Sequence, residues 1–354
     1  MSDPSIYSDV EDAISHLLAK AAHASGGGAG FQGAGALATA AAVAEMGWSR
    51  LTVPQEYGGL GLGLAGLGPA VALLGEHLVP GTWGDQVVLS ALVPQAGGRA
   101  AVLADPEAWG GSVEAASLTL TGTSLSGSVP LVASDDATEC LVVAVDAPAE
   151  AADATLVLVD RKAPGVGLTP LETDDPVHPL ARLTLDEVRL ADLEVVAVGT
   201  AARRLRREIL TWMRILVSCE LAGVARRVTA ETLAYVKQRE QFARPVGSFQ
   251  AVKHLLAEMA TGTEALSALC AATLEDSEGS ELSAAELRSW ILKAYASEAA
   301  VRVCESGLQA HGGIGFTAEY GLHLFLRRSY FLATWYGGAA EMAVRVGGRR
   351  LESR

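Results

Sequence analysis

Apolar residues recur at helical spacing at both ends of the chain. In residues 1–102 this spacing predicts helices at about residues 6–22, 36–46 and 65–78. A glycine-rich break at residues 26–35 separates the first two helices, and we expect it to form a mobile loop. This N-terminal domain is therefore predicted to be mainly α-helical.

Between residues 103 and 200 the pattern changes to short runs in which Thr, Val and Leu alternate with polar residues. Examples are SLTLTGT, ECLVVAV and ATLVLVD, and such runs are typical of β-strands. Turn-forming residues such as Gly127 and Pro164-Gly165 separate the runs. The sequence predicts a small middle domain built as an antiparallel sheet or barrel.

Helical spacing returns after the middle domain and continues almost to the C-terminus. An apolar stripe that begins at Leu205 predicts one long helix, and three more are predicted at about residues 249–274, 284–310 and 330–349. Four helices of this length suit an antiparallel bundle, which we assign to residues 201–354. The predicted fold class is α+β with several domains: an N-terminal helical domain, a middle antiparallel β domain and a C-terminal four-helix bundle.

The composition is that of a globular protein with a large interior. Half of the 354 residues are hydrophobic and 19% are charged, and the mean hydropathy is +0.27. The formal net charge of −14 argues against nucleic acid or an anionic membrane as a partner. Because the sequence shows neither a membrane-spanning apolar run nor a signal-peptide pattern, we expect a cytoplasmic protein.

The cysteines lie far apart, without the close spacing of a metal site or a redox motif. We interpret them as buried free thiols and predict no metal site. They are Cys140, Cys219, Cys270 and Cys304.

Two segments of the C-terminal region carry residue types suited to binding a phosphate group. In residues 239–260, REQFARPVGSFQAVKHLLAEMA, Arg239 ends one helix and a Pro/Gly break precedes the next. In residues 309–320, QAHGGIGFTAEY, a helix ends at Gly312 and Gly313, whose backbone N–H groups a ligand can approach closely. An Arg near such amides is a candidate pyrophosphate site. The alternative is an ordinary turn between helices with a surface Arg.

Three stretches resemble the acyl-CoA dehydrogenase family. They are GWSRLTVPQEYGGLGLG, REQFARPVGSFQAVKHLLAEMA and QAHGGIGFTAEYGLHLFLRR, and they follow one another in the family's order. The resemblance implies the three-domain fold predicted above, assembly as a dimer or tetramer, and an FAD bound across subunits. It also implies which residues reach the FAD of a neighbouring subunit: Arg239, Gln241, Phe242, Phe249, Gln309, Gly312 and Gly313.

In this family the FAD accepts a hydride from Cβ of an acyl-CoA while a carboxylate removes the α-proton. The position of that base falls here on Tyr336, or on Gly337 with a shift of one residue. Some members carry the base on an earlier helix, at the position of Met213. None of these residues is a carboxylate, so we predict that the chain lacks a catalytic base. The alternative is that Glu220 or Glu341 has taken over that role.

The chain's own flavin pocket also departs from the family pattern. The strand that carries a Trp and a Thr against the flavin resembles LSGSVPLVASD here, with Leu131 and Ala133 at those positions. Gly338 and Ala340 stand where the family usually has Thr and then Gln or Glu. The family's phosphate and flavin loop keeps only LADP, residues 103–106. The changes are confined to the chain's own site, whereas the residues that reach a neighbour's FAD are present.

A one-sided loss is expected of a non-catalytic subunit that completes the FAD site of another chain. The sequence resembles the short subunits of bacterial α2β2 acyl-CoA dehydrogenases that act on steroid side chains. We therefore predict a subunit of a heteromeric FAD-dependent acyl-CoA dehydrogenase for a bulky acyl-CoA, such as a steroid-CoA, that is inactive alone. Its predicted partners are a homologous subunit with the Glu base, the acyl-CoA, and an acceptor resembling electron-transfer flavoprotein.

Two other functions stay open at this point. One is a catalytically inactive scaffold or regulatory homologue, and the other is a homomeric flavoenzyme with an unrecognised base. The role of a basic cluster is also open, since it could face CoA, a partner or solvent. The cluster contains Arg203, Arg204, Arg206 and Arg207.

Overall fold

The computed structural model places four helices before the two main sheets and five after them, within the residues that it describes. Those residues are 4–25, 34–105, 117–121, 124–134, 138–145, 154–175 and 177–352. The helices are α1 (Pro4–Ser25), α2 (Ala34–Glu45), α3 (Gly68–Glu76), α4 (Trp83–Leu92), α5 (Gly199–Gln238), α6 (Gln250–Ser277), α7 (Leu282–His311), α8 (Leu322–Thr334) and α9 (Ala339–Glu352). The strands are β1 (Ala101–Ala104), β2 (Ser117–Thr121), β3 (Ser124–Ala133), β4 (Cys140–Val145), β5 (Thr155–Asp160), β6 (Val166–Leu171), β7 (Leu180–Arg189), β8 (Glu194–Val198), β9 (Glu240–Gln241) and β10 (Arg244–Pro245).

Two four-stranded sheets form the middle of the chain. Their strand orders are β1-β4-β5-β8 and β2-β3-β7-β6. Val129 and Leu183 from one sheet pack with Leu141 and Val157 from the other in a shared apolar core. The strand pairs are antiparallel except β1 with β4, which run parallel with Leu103 opposite Val142. The predicted antiparallel β region is therefore confirmed, with one parallel pair that the alternation of residues did not reveal.

The C-terminal helices form the predicted bundle around α5 and α7. Helix α5 is 40 residues long and contacts α6, α7 and α8, and α7 also contacts α6, α8 and α9. From the N-terminal region, α3 and α4 pack on α5 as well. One apolar core consequently runs from the N-terminal helices into the bundle. The predicted three-part architecture is confirmed.

The prediction of one continuous helix over residues 330–349 is wrong. The chain forms two helices there, α8 and α9, with a break over residues 335–338. Tyr336 has a φ of 59° and Gly337 a φ of 108°, and neither value belongs to a right-handed helix. The apolar spacing continues across the break, and this is why periodicity alone predicted one helix.

Other differences concern the N-terminal region. Sequence reasoning missed α4, and the helix predicted at residues 65–78 starts as a short 3-10 turn and is α-helical only over α3. The glycine-rich segment at residues 26–35 falls outside the described residues except for its last two positions. The domain limits 1–102, 103–200 and 201–354 stay a prediction. In the described part of the chain, no helix has both the length and the apolar character needed to cross a membrane.

Helices α3 and α5 approach each other so closely that the contact requires glycine. A Cβ atom on Gly223 of α5 would overlap the carbonyl group of Ala72, and one on Gly75 of α3 would overlap the backbone of Glu220. Backbone atoms of packed helices cannot move aside as a flexible side chain can. These two glycines therefore fix how the N-terminal helices sit on the bundle.

Replacement of Gly223 with Ala should lower the free energy of unfolding by about 1–3 kcal/mol, because the added methyl overpacks this contact. Thermal unfolding followed by circular dichroism would measure the change. Gly347→Ala in α9 is the matched control, since no described atom lies within 4 Å of the added Cβ. That variant should be neutral or stabilised by up to about 1 kcal/mol, and similar losses in both would contradict the packing argument.

Candidate functional site

A short hairpin after α5 displays Phe242 to solvent. Gln241 of β9 pairs with Arg244 of β10, and the two turn residues, Phe242 and Ala243, have φ values of 54° and 59°. Such turns favour Asn and Gly. A non-glycine residue in this conformation is strained, and strained residues of this kind are often found at binding sites. Phe242 is nevertheless 87% exposed, with its ring centroid 6.2 Å from that of Phe249. The hairpin thus holds an aromatic ring outward at an energetic cost.

Arg239 joins α5 to this hairpin. Its backbone N–H donates to the carbonyl oxygen of Tyr235 at 2.8 Å, and its own carbonyl accepts from the N–H of Val246 at 2.7 Å. The Arg239 side chain is exposed. The other arginine of the hairpin, Arg244, lies 3.9 Å above the ring centroid of Phe249. Arg239 is therefore an exposed cation on a backbone that is held at both sides.

The second predicted segment begins at the C-terminus of α7. Gln309, Gly312 and Gly313 are exposed, and Gly312 adopts a φ of 64° and a ψ of −145° that end the helix. The Gly312 N–H caps α7 by donating to the carbonyls of Leu308 and Gln309. This leaves Gly313, in the first turn of the following 3-10 helix, as the better candidate donor. A Cβ on either glycine would meet no described atom within 4 Å, so a ligand can reach this backbone.

The ends of α5 and α7 meet through their aromatic side chains. The rings of Tyr235 and His311 stack with centroids 4.3 Å apart. Arg239 lies one helical turn beyond Tyr235, and Gly312 directly follows His311. The structure therefore brings the two predicted segments to one end of the bundle. We call the group formed there the half-site, and it consists of Arg239, Gln241, Phe242, Phe249, Gln309, Gly312 and Gly313.

Buried side chains occupy the positions where the base was expected. Tyr336 is fully buried, and its hydroxyl donates to Oδ2 of Asp85 at 2.7 Å. Burial, followed by the neighbouring Asp85 carboxyl, raises the pKa of Tyr336 well above its usual range. Met213 is only 1% exposed, and Gly337 is buried in the helix break. These residues cannot remove a proton from a ligand.

The two alternative carboxylates are held in ion pairs. Glu220 accepts from Nε of Arg328 at 2.9 Å, and Arg328 also contacts Asp175 at 3.1 Å. Burial raises the pKa of Glu220, and the charge and hydrogen bond of Arg328 partly offset this rise. Glu341 pairs with Arg345 of the same helix at 2.9 Å. Both carboxylates therefore have structural partners.

Two buried basic residues that were not among the predicted site residues donate hydrogen bonds at the helix break. Nε of Arg214 donates to the carbonyl oxygen of Tyr336 at 2.9 Å. Nζ of Lys293 donates to the carbonyls of Leu332 and Ala333, both at 2.9 Å, and burial lowers its pKa to about 7. A lone Lys within the apolar run SWILKAYAS is a signal that could have found it.

The strand expected to face the flavin is packed into the interior. Ala133 is fully buried and Leu131 packs against the main core. Ala133 pairs with Leu180 at the start of β7. Just before that strand, His178 is 4% exposed and contacts two aromatic rings, with centroids 4.5 Å from Phe331 and 5.3 Å from Trp335. An aromatic cluster of His178, Phe331 and Trp335 therefore packs beside the helix break.

The basic cluster is divided between ion pairs and solvent. Nε of Arg206 donates to Asp105 at 2.6 Å, and Arg207 donates to Glu286, also at 2.6 Å. Arg203 and Arg204 are exposed. The pair with Asp105 fixes the part of LADP that the structure describes.

A cavity of about 700 Å³ lies between α2, α4 and the β6–β7 edge of the second sheet. Its walls are mostly apolar, with Gln86 and Ser134 among the polar groups. Neither Met213, Tyr336 nor Gly337 lines it. The cavity is therefore not lined by the residues at the expected base positions.

Residues 203–352 match the family described as acyl-CoA dehydrogenase, C-terminal domain. The chain is 32% identical to acyl-CoA dehydrogenase FadE34 of Mycobacterium tuberculosis, over 86% of this chain and 41% of FadE34. It is 28% identical to acyl-CoA dehydrogenase IpdE2 of the same organism, over 87% of this chain and 83% of IpdE2. Residues 203–352 are thus an acyl-CoA dehydrogenase C-terminal domain, and the chain is similar to acyl-CoA dehydrogenases over most of its length. It spans less than half of the length of FadE34, although it spans most of IpdE2.

Solved structures agree with this family fold. A variant of the Tcur3481-Tcur3483 steroid ACAD has a TM-score of 0.82 at 24% identity, with 99% of this chain and 98% of that chain covered. A chain of the ChsE4-ChsE5 complex from Mycobacterium tuberculosis has a TM-score of 0.79 at 19% identity, with the same coverage. At these identities the likeness shows the acyl-CoA dehydrogenase fold.

The buried pair of Asp85 and Tyr336 predicts a specific pH dependence of stability. Burial raises the pKa of Asp85 to about 7, against the opposing hydrogen bond from Tyr336. Between about pH 4 and pH 7 the folded protein therefore keeps a proton that the unfolded chain has lost. This contribution to stability is complete below about pH 4 and is lost as the pH rises through about 7.

Asp85→Asn should remove this dependence, because Asn still accepts the hydrogen bond from Tyr336 but does not ionise. We expect the melting temperature of the wild type to fall relative to that of the variant as the pH rises from about 4 to about 8. Thermal scans at several pH values would measure the difference. Glu56→Gln, at an exposed carboxylate, is the control. Parallel pH profiles for the wild type and Asp85→Asn would contradict the assignment.

Proposed function

We propose that this chain is the non-catalytic subunit of a heteromeric FAD-dependent acyl-CoA dehydrogenase, and that it completes the FAD site of a homologous partner. The partner supplies the Glu base. The observation that carries the proposal is the contrast between an exposed half-site and base positions that are filled with buried side chains. A chain that lost its function by drift would be expected to lose both sets of residues equally.

The half-site suits one end of an FAD. Arg239 offers a positive charge to a pyrophosphate, Gln309 and the Gly313 backbone offer hydrogen-bond donors, and Phe242 offers an exposed aromatic surface. The open space above Gly312 and Gly313 allows a ligand to approach the backbone closely. When bound, FAD supplies the hydride acceptor for α,β-dehydrogenation of an acyl-CoA.

The chain's own flavin position does not suit FAD. The side chains that would contact the ring in the family are replaced by Leu131 and Ala133, and Ala133 is fully buried. Tyr336 fills the base position and makes its hydrogen bond to Asp85 instead of facing a ligand. We therefore infer that one FAD site, and not two, is formed for each pair of unlike chains.

The proposed substrate is a bulky acyl-CoA, for which a steroid-CoA is the leading candidate. Support comes from a structural neighbour described as a steroid ACAD and from another described as a complex of two differently named chains. The electrons would pass to an acceptor resembling electron-transfer flavoprotein. This chain spans only part of FadE34, so the substrate and the electron acceptor are part of the proposal.

Purification under native conditions tests the subunit assignment. Tagged in its native host, the chain should be recovered with a homologous chain that has a Glu at one of the two base positions. The complex should show flavin absorbance and oxidise acyl-CoA, whereas the chain produced alone should be colourless and inactive. A yellow, fully active homo-oligomer would refute the proposal. A stable complex without flavin or activity would support a scaffold role instead.

Arg239→Ala should weaken FAD retention in the complex by about tenfold or more, because a charge-assisted hydrogen bond to the pyrophosphate is lost. The flavin-to-protein ratio after gel filtration would report the loss. Arg182→Ala, at an exposed arginine of β7, is the matched control and should keep the wild-type ratio. Unchanged flavin content in Arg239→Ala would show that the half-site does not hold FAD.

A further inference from the structure

His311 connects three parts of the chain at the half-site. Its ring stacks on Tyr235 at the end of α5, with an angle of 22° between the ring planes. Its Nδ1 lies 2.7 Å from the carbonyl oxygen of Gly307, one turn earlier in α7. Its Nε2 lies 3.0 Å from the hydroxyl of Tyr320, which follows the glycine segment. One imidazole thus contacts α5, α7 and the far end of the loop that carries Gly313.

The hydrogen-bond partners define the state of this imidazole. The Gly307 carbonyl can only accept, so Nδ1 carries the proton, and Nε2 then accepts from the Tyr320 hydroxyl. Burial lowers the pKa of His311, although the bond to Gly307 opposes this effect. The ring is therefore neutral near pH 7, and both of its nitrogens are engaged. This arrangement fixes the rotation of the ring about its side-chain bonds.

The His311 ring links the two segments of the half-site. On one side, the Arg239 N–H bonds to the backbone of Tyr235, whose ring lies against His311. On the other side, His311 directly precedes Gly312, and the loop folds back so that a Cβ on Gly315 would lie 3.1 Å from Cβ of His311. The segments that carry Arg239 and Gly313 are therefore both in contact with, or directly joined to, this one residue.

We propose that His311, held by Tyr235 and Tyr320, is the positioning residue of the half-site. It sets the distance between the Arg239 cation and the Gly313 N–H so that both can bind the same pyrophosphate. This inference rests on the proposed function, because it assumes that FAD occupies the half-site. His311 itself does not contact the cofactor; it acts through the two segments that it holds together.

The test measures FAD affinity in the purified complex by equilibrium dialysis of the deflavinated protein. His311→Phe keeps a ring in the stack but loses both hydrogen bonds, and Tyr320→Phe removes one hydroxyl. Each should raise the Kd for FAD by about tenfold, the change expected if the displaced segments lose one hydrogen bond of ordinary strength to FAD. Tyr235→Leu, which removes the stack, should have a similar effect. The conservative variant Tyr235→Phe keeps the stack and loses only a long contact of 3.5 Å from its hydroxyl to the His311 carbonyl oxygen, so its Kd for FAD should stay near the wild-type value.

A matched control separates positioning from general destabilisation. The hydroxyl of Tyr7 accepts from the backbone N–H of Gly63 at 2.8 Å in the N-terminal region. Tyr7→Phe should lower the melting temperature of the complex without changing the Kd for FAD. If Tyr7→Phe lost as much FAD affinity as His311→Phe, general destabilisation would explain both variants and the positioning role of His311 would be wrong.

The remaining outcomes distinguish this inference from the proposed function. If Arg239→Ala loses flavin while His311→Phe and Tyr320→Phe keep the wild-type Kd, the half-site is real and His311 does not position it. If Arg239→Ala also keeps its flavin, the half-site assignment itself is wrong. Because Tyr320→Phe changes only one hydroxyl at a partly exposed position, it keeps the test available if His311→Phe does not fold.

Discussion

The break between α8 and α9 depends on polar side chains from three other helices. Asp85 of α4 accepts from the Tyr336 hydroxyl, Arg214 of α5 donates to the Tyr336 carbonyl, and Lys293 of α7 caps the last carbonyls of α8. A buried polar group without a partner costs more than a hydrogen bond gains. The positive φ of Tyr336 therefore persists because these contacts leave it no satisfactory alternative. The same contacts join the N-terminal helices to the bundle.

This network also explains why the break is unsuited to catalysis. A general base must reach the substrate and release its proton readily near neutral pH. Burial and the Asp85 carboxyl both raise the pKa of Tyr336, because both disfavour the phenolate. Tyr336 therefore does not release its proton readily. The residues that keep the turn rigid are thus the ones that remove it from the chemistry. By contrast, the half-site has exposed donors on a well-held backbone, which is what binding a partner's cofactor requires.

Local sequence patterns predicted the features that local forces decide. The apolar stripe from Leu205 predicted α5, and alternation predicted the strands of the middle region. The break at Tyr336 was not predictable in this way, because it depends on Asp85, which lies 251 residues away in the chain. Helix α4 was missed because it is only 10 residues long and is buried on almost every side, polar residues included, so its sequence does not divide into an apolar and a polar face. Motif spacing identified Arg239 and Gly313, but their meeting point required the ring contact between Tyr235 and His311.

The length of α5 has a consequence for how such a protein can evolve. Arg214, beside the helix break, and Arg239, at the C-terminal cap of α5, lie at different levels of this one helix, about 38 Å apart along its axis. Substitutions at one level can be absorbed locally without disturbing the other. Duplicated genes built on this scaffold can therefore specialise separately, with one copy keeping the chemistry and the other keeping the contact. Unlike subunits can therefore take on different roles without a new fold, as long as substitutions are accepted at one level of the long helix.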